Sequence, residues 1–235
     1  MKPLVTVITV CFNCKSDIEK TIKSVLEQTY DNIEYLIIDG GSTDGTVDVI
    51  KAYSDRLTYW VSEPDRGIYD AMNKGLQKAA GEWVNFMNVG DLFVDERVVE
   101  DVFSNQISDE LKVIYGNTVN DYGREKSIHH AEPASVLKDR LAFSHQACFV
   151  KIKNFKWNFD VEYKFAADYK LFYSILFEYG EAAFFNTRKE IAQYKNEGSF
   201  TFQHLKDVKH EYLKIRSAHK NFVWFKDFIK FKLGL

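Results

Sequence analysis

A chain of 235 residues, 46% hydrophobic and 28% charged, has room for one domain plus an appendage and is too apolar for a disordered or collagen-like protein. Its 31 Lys and Arg against 34 Asp and Glu give a formal charge of −3, which excludes a surface built as a whole to grip nucleic acid. The balance is uneven, because residues 201–235 hold eight Lys and Arg against three Asp and Glu. Aromatic side chains make up 15% of the chain, a surplus that suits packed cores and surfaces touching sugar rings or lipid. The start, Met1 to Thr6, lacks the apolar segment and small-residue cleavage site of a secretory signal, and no apolar run of roughly 18 residues follows, so a cytoplasmic, unprocessed protein is expected. Cys11, Cys14 and Cys148 cannot form an even disulfide set, which fits a reducing compartment.

In chain order, Leu4 to Val10 is β-branched and apolar, as a strand covered on both faces should be. Ser16 stands three residues before Glu19, a capping-box spacing, and the apolar positions Ile18, Ile22, Val25 and Leu26 predict a helix to about Gln28. Ile33 to Ile38 reads as a second buried strand, followed by Asp39-Gly40-Gly41-Ser42-Thr43-Asp44-Gly45 and a short helix from Thr46 to Tyr53. Leu57 to Val61 is a third strand. A helix with Ile68, Ala71, Met72, Gly75, Leu76 and Ala79 on one stripe stops near Gly81. Trp83 to Met87 makes a fourth strand, closed by Asn88-Val89-Gly90-Asp91. Alternating strands and helices of this kind imply a mostly parallel sheet flanked by helices. Beyond it the pattern predicts helices over Glu96 to Phe103 and Lys164 to Tyr179, with strands at Val113 to Thr118 and His145 to Val150. From Thr201 the pattern is helical and basic, so residues 1–200 read as one α/β domain and 201–235 as a helical appendage.

In open α/β sheets, ligands collect outside the carboxyl ends of the strands, where helix amino termini present free N–H groups to anions. Three such ends are polar here: Cys11-Phe12-Asn13, Asp39 to Asp44, and Asn88 to Asp91. Small and acidic residues at all three suit a nucleotide whose base is gripped by a side chain and whose diphosphate is held through a cation.

The runs VTVITVCFN, SVLEQTYDNIEYLIIDGGSTDGT and EPDRGIYDAMNKGLQKAAGEWVNFMNVGD resemble the amino-terminal half of a family 2 glycosyltransferase. Ser144-His145-Gln146 and Ala166-Ala167-Asp168-Tyr169 resemble its bacterial branch that builds colanic-acid-like capsules and exopolysaccharides. The resemblance implies a GT-A fold, Rossmann-like, with a nucleoside-diphosphate-sugar donor, a glycan or lipid-linked acceptor, a divalent cation such as Mg²⁺ or Mn²⁺, and inversion at the anomeric carbon. Two departures stand out. Many relatives carry Asp-Asp-Gly-Ser where this chain has Asp39-Gly40-Gly41-Ser42, which rests base recognition on Asp39. The metal motif, often a pair of aspartates, is reduced to Asn88-Val89-Gly90-Asp91, so Asp91, with Asn88, would hold the cation only together with the substrate diphosphate and water.

Within this frame Asp168 is the expected general base, because it shares a helical stripe with Phe165, Phe172, Ile175, Leu176 and Tyr179 and so points inward. The alternative is an inward Asp paired to Arg188 or to a backbone N–H. Cys11 and Asn13, with Asp65, Arg66 and Asn73 at the third helix, are expected against the nucleotide. Asp70, His145 and Gln146 are expected against the donor sugar or acceptor. Glu197, in a loop where relatives place substrate-contacting residues, joins them. Arg66 and Asn73 could instead form a solvated helix face, and His145 a satisfied structural histidine.

Two rival classes stay open: a thiol redox protein using the Cys11-x-x-Cys14 spacing, and a sugar-nucleotide-binding protein of the same fold without turnover. In the tail, residues 221–235 set Phe222, Trp224, Phe225, Phe228, Ile229 and Phe231 opposite Lys226 and Lys230. This pattern suits either peripheral contact with an anionic inner membrane surface or packing on protein.

Overall fold

The computed structural model describes residues 2–121, 125–195 and 204–218. Glu197 and residues 221–235 lie outside them. The strands are β1 (Val5–Cys11), β2 (Ile33–Asp39), β3 (Tyr59–Ser62), β4 (Trp83–Phe86), β5 (Asp91–Phe93), β6 (Val113–Asp121), β7 (Lys126–His129), β8 (Cys148–Lys151) and β9 (Phe184–Lys195). The helices are α1 (Ile18–Leu26), α2 (Thr46–Ala52), α3 (Ile68–Lys78), α4 (Val98–Phe103), α5 (Ala167–Tyr179) and α6 (205–218).

Among the described residues, nine strands join one sheet in the order β3-β2-β1-β4-β8-β6-β9-β5, with β7 paired to β6. The half from β3 to β4 is parallel. It is spliced to the rest through the antiparallel pair β4–β8. Because side chains alternate across a strand, β1 and β2 feed two cores. Ile8, Val10, Leu36 and Ile38 face α3 and α5, while Val5, Val7, Tyr35 and Ile37 face α1, α2 and α4. Burial on both faces explains why these two strands read as continuous apolar runs.

Several boundaries differ from the sequence reading. Helix α1 begins at Ile18 with Asp17 at its cap and no side-chain cap bond. Ser16 donates to Asp17 instead, and Glu19 accepts from Tyr53. Residues 145–147 form a single 3-10 turn ahead of β8. Helix α5 starts at Ala167 rather than Lys164. The basic helix α6 is docked: Val208 and Ile215 are buried, and the Tyr212 ring lies 4.1 Å from that of Tyr169 on α5.

Candidate active site

The parallel half delivers its loops to one end, as the strand–helix alternation requires. Asp39 closes β2 with no exposed surface. Its carboxylate accepts five hydrogen bonds, from the Gly41 and Ser42 N–H groups, the Ser42 and Ser62 hydroxyls and the Cys11 thiol. Burial works against its ionisation, but these donors outweigh it and hold the carboxyl below its ordinary range. With these bonds Asp39 ties the loop after β2 to β1 and β3.

Next to it, Asn13 adopts a left-handed conformation with φ 48°. Its side-chain oxygen accepts the Thr43 N–H, and its own N–H donates to the Ser42 hydroxyl, so Asn13 ties the first loop to the second. A cleft of about 350 Å³ opens above, lined among others by Cys11, Phe12, Asp65, Ile68 and Asn88. Phe12 and Ile68 flank it as exposed apolar side chains. Asp65 stands over Gly40, and its carboxylate accepts the Gly67 N–H at 2.8 Å. Cys11 and Cys14 are free thiols. The Cys14 hydrogen bond, with burial and nearby charge, pushes the Cys11 thiol far up, while the same bond draws Cys14 down.

The turn after β4 carries the charge. Asn88 is buried, and Gly90 supplies the positive φ of 95° that lets the Asp91 N–H return to the Asn88 carbonyl. Asn88 Nδ2 meets His145 Nε2 at 3.2 Å, and His145 Nδ1 meets Asp168 Oδ2 at 3.3 Å. In the neutral ring this makes Nδ1 the donor and Nε2 the acceptor. Tyr69 on α3 donates its hydroxyl to Asp168 Oδ1 at 3.2 Å, and the Tyr169 N–H donates to the same oxygen. Burial pulls the imidazole down, yet the hydrogen bond and charge of Asp168, with the charge of Asp91, leave it raised. Burial pushes Asp91 up to about 7, partly offset by the His145 charge and a Gln146 hydrogen bond. Asp168 is therefore paired to His145 and Tyr69, not to Arg188, and the charge of Asp91 acts on the same imidazole.

Other expected residues fall to one side. Arg66 and Asp70 pair with each other at 2.9 Å, which lowers the Asp70 carboxyl. Asn73 spends its carboxamide on the Phe159 backbone, donating to its carbonyl and accepting its N–H, both at 2.8 Å. That bonding fixes the segment at Phe159 against α3. The sequence reading missed Phe12, Tyr69 and Asn85. Asn85, fully buried on β4, donates to the Gln146 and Cys148 carbonyls and so seats the His145 turn. An Asn inside the apolar run Trp83-Val84-Asn85-Phe86 was the signal for it.

For a cation, the turn offers one carboxylate, Asp91, and the Asn88 side-chain oxygen, which is buried without a hydrogen-bond partner. Among the described residues no cluster of three or more His, Cys, Asp and Glu could hold a metal alone. An all-oxygen pair of this kind fits a hard cation that brings diphosphate and water oxygens with it.

Against known proteins, the model of the family described as glycosyl transferase family 2 matches residues 6–190. The chain belongs to that family. It is 43% identical over 98 residues to an uncharacterised glycosyltransferase of Mycobacterium tuberculosis strain H37Rv, covering 41% of this chain and 37% of that protein. Over 100 residues it is 37% identical to TuaG of Bacillus subtilis strain 168, named for teichuronic acid biosynthesis, covering 41% of this chain and 40% of that one. The chain thus spans well under half the length of these relatives. Among solved structures, Staphylococcus aureus TarS 1–349 with UDP superposes with a TM-score of 0.67 at 18% identity, over 82% of this chain and 60% of that one. The mannosyltransferase PcManGT of Pyrobaculum calidifontis, with GDP-Man and Mn²⁺, gives 0.62 at 18% identity, over 87% and 60%. The fold is that of the GT-A glycosyltransferases, a mixed sheet with a parallel half between helical layers.

Proposed function

We propose that the protein transfers a sugar from a nucleoside-diphosphate sugar to a hydroxyl of a glycan or lipid-linked acceptor, with inversion, in the building of a surface polysaccharide. The observation that carries the reading is the chain Asn88–His145–Asp168, which brings the turn suited to a diphosphate within one imidazole of a buried carboxylate. The nucleoside enters the cleft beside Phe12, whose exposed ring offers a stacking face, and Asp65 supplies the carboxylate at its wall.

Asp168 takes the proton of the acceptor hydroxyl as the oxygen attacks the anomeric carbon from the side opposite the diphosphate. His145 and Tyr69 hold that carboxylate in place. Asp91 and Asn88 would be the residues to hold a divalent cation, which would supply positive charge against the departing diphosphate. Surface-polysaccharide synthesis is supported by the printed name of TuaG, and the nucleotide donor by the UDP, UDP-GlcNAc and GDP-Man held by the structural neighbours. Among the described residues no helix is long and apolar enough to cross a membrane.

A panel of UDP-, GDP- and dTDP-sugars with Mn²⁺ or Mg²⁺ tests the reading. A donor is expected to raise the melting temperature, chelator and Asp91→Ala to remove that effect, and Asp168→Asn to abolish transfer while keeping donor binding. Donor binding unchanged by chelator and by Asp91→Ala would remove the cation from the scheme. Donor binding with neither transfer nor hydrolysis would leave a binding protein, the reading that the single metal-side carboxylate favours.

A further inference from the structure

Two nucleophilic side chains stand in the wall of the donor cleft and take no part in the transfer proposed above: Cys11, which ends β1, and Cys14, three residues on, ahead of α1. Both are free thiols, and their sulfurs lie in hydrogen-bond contact with each other. Only Phe12 and Asn13 separate them, and Asn13 takes the left-handed conformation that tight bends use. The third thiol, Cys148, is buried and donates to the His145 carbonyl at 3.0 Å.

The surroundings of the two sulfurs give them different roles. Cys11 is buried, and its contact with Cys14, its burial and the charges of Cys14 and Asp39 push its thiol far up, so it keeps its proton. Cys14 is half-buried where it lines the cleft. Its sulfur accepts from the Thr46 hydroxyl at 4.0 Å, and the Cys11 hydrogen bond draws its thiol below the ordinary range, against burial and the charge of Asp44. A partly exposed thiol with thiolate character beside a second thiol is the arrangement that oxidants find first. Both ends of the segment are anchored. Cys11 is paired to Asp39 in the β1–β2 ladder, while the Cys14 N–H donates to Thr46 and its carbonyl accepts the Asp17 and Ile18 N–H groups. Drawing the sulfurs from hydrogen-bond contact to a bond of about 2.05 Å therefore displaces what lies between them. That is Phe12, the exposed ring flanking the cleft, and Asn13, which ties the first loop to the second.

We infer that Cys11 and Cys14 join in a reversible disulfide in the wall of the donor cleft, formed by a peroxide, and that this bond weakens nucleotide binding. The Cys14 thiolate attacks one peroxide oxygen and the O–O bond breaks, leaving a sulfenic acid and, with the proton Cys14 had released, one water. The Cys11 sulfur then attacks the sulfenic sulfur. The S–S bond forms, the S–O bond breaks, and the Cys11 proton leaves with the hydroxide as a second water. Two thiols and one hydrogen peroxide thus give one disulfide and two waters, and a dithiol reductant reverses the change. The effect on binding rests on the transferase reading above, whereas the bond itself does not. The full chain, reduced or treated with hydrogen peroxide, tests both through thiol titration in denaturant, mass spectrometry of the tryptic peptide ending at Lys15, and calorimetry of UDP with Mg²⁺. Titratable thiols should fall from three to one, the peptide holding both cysteines should lose two hydrogens, and UDP affinity should fall at least about tenfold, all restored by dithiothreitol. Cys14→Ser should lose no hydrogens and bind UDP alike with and without peroxide; Cys14→Ala takes its place if the serine variant does not fold. Oxygen added to Cys14 without closure of the bond, a disulfide through Cys148, UDP affinity unchanged by the bond, or an equal loss of affinity in Cys14→Ser would overturn the proposal. A reduced chain that does not bind UDP would overturn the donor reading, and with it the effect on binding, while mass and thiol count still decide the bond.

Discussion

Gly40, in the loop after β2, has a neighbour that leaves little room for a side chain. A Cβ added to it would lie 2.5 Å from Asp65 Oδ2 and 3.3 Å from the Phe12 ring. The Asp65 carboxylate is tethered by the Gly67 N–H, so it cannot swing away without losing that bond. Gly40→Ala is therefore expected to cost about 1 kcal/mol through overpacking, read as a melting temperature lower by about 2–4 °C. It should also weaken UDP binding, because the displaced groups line the donor cleft. Adding Asp65→Ala to Gly40→Ala should recover most of the lost stability if the clash is the cause, a coupling that a double-mutant cycle measures. The same neighbourhood marks the limit of reading residues from sequence. The acidic loop after β2 was visible, and so was its place at the sheet end. That Asp39 spends its oxygens on Ser42, Ser62 and Cys11 depends on β3 lying beside β2, a tertiary fact no local pattern carries.

At the scale of elements, the strands and helices of the first half were legible because burial on both faces of β1 and β2, and a single apolar stripe on α3, write clear periods into the chain. Strand β9 was missed for a physical reason. Phe184–Lys195 alternates poorly, its register with β6 shifts between Tyr115 and Thr118, and Arg188 sits there with φ 58°, so its period is broken where it bends. The three-residue β5 and the exposed β7 leave too little pattern to see. Nor could sequence show what starts α5. The Glu211 carboxylate on α6 accepts the Lys164, Phe165 and Ala166 N–H groups at 2.9 to 3.0 Å, satisfying donors at the amino end of the helix that bears Asp168. Glu211→Gln removes the charge that complements those donors and should cost about 1 kcal/mol of stability. Because Asp168 lies within the first turn, transfer should fall in Glu211→Gln while UDP affinity holds. Equal loss of both would show that the cap supports the whole fold rather than the placement of α5.

Across the whole molecule, the site straddles the splice of the sheet. Asn88 follows β4 of the parallel half, whereas Asp91 opens β5 in its antiparallel pair with β9, His145 precedes β8 and Asp168 follows it on α5, the parallel half meeting the rest through the short β4–β8 ladder at Trp83 and Val84. Whatever fixes α5 against the sheet therefore fixes the distance between the two halves of the chemistry, and α6 is part of that fixture. Its Val208 and Ile215 are buried, Tyr212 stacks near Tyr169, and Arg216 reaches the Asp139 carbonyl at 2.7 Å. Burial of each such apolar side chain contributes about 1.5–3 kcal/mol, a large share of the roughly 5–15 kcal/mol that holds an ordinary domain together. Ile215→Ala is accordingly expected to lower stability by about 2–5 kcal/mol. A chain ending at residue 203 should melt broadly, lose near-ultraviolet circular dichroism from the Tyr169 and Tyr173 surroundings, and fail to transfer. A truncated chain that melts as sharply and as high as the full one would make α6 the separable appendage that its basic sequence suggests.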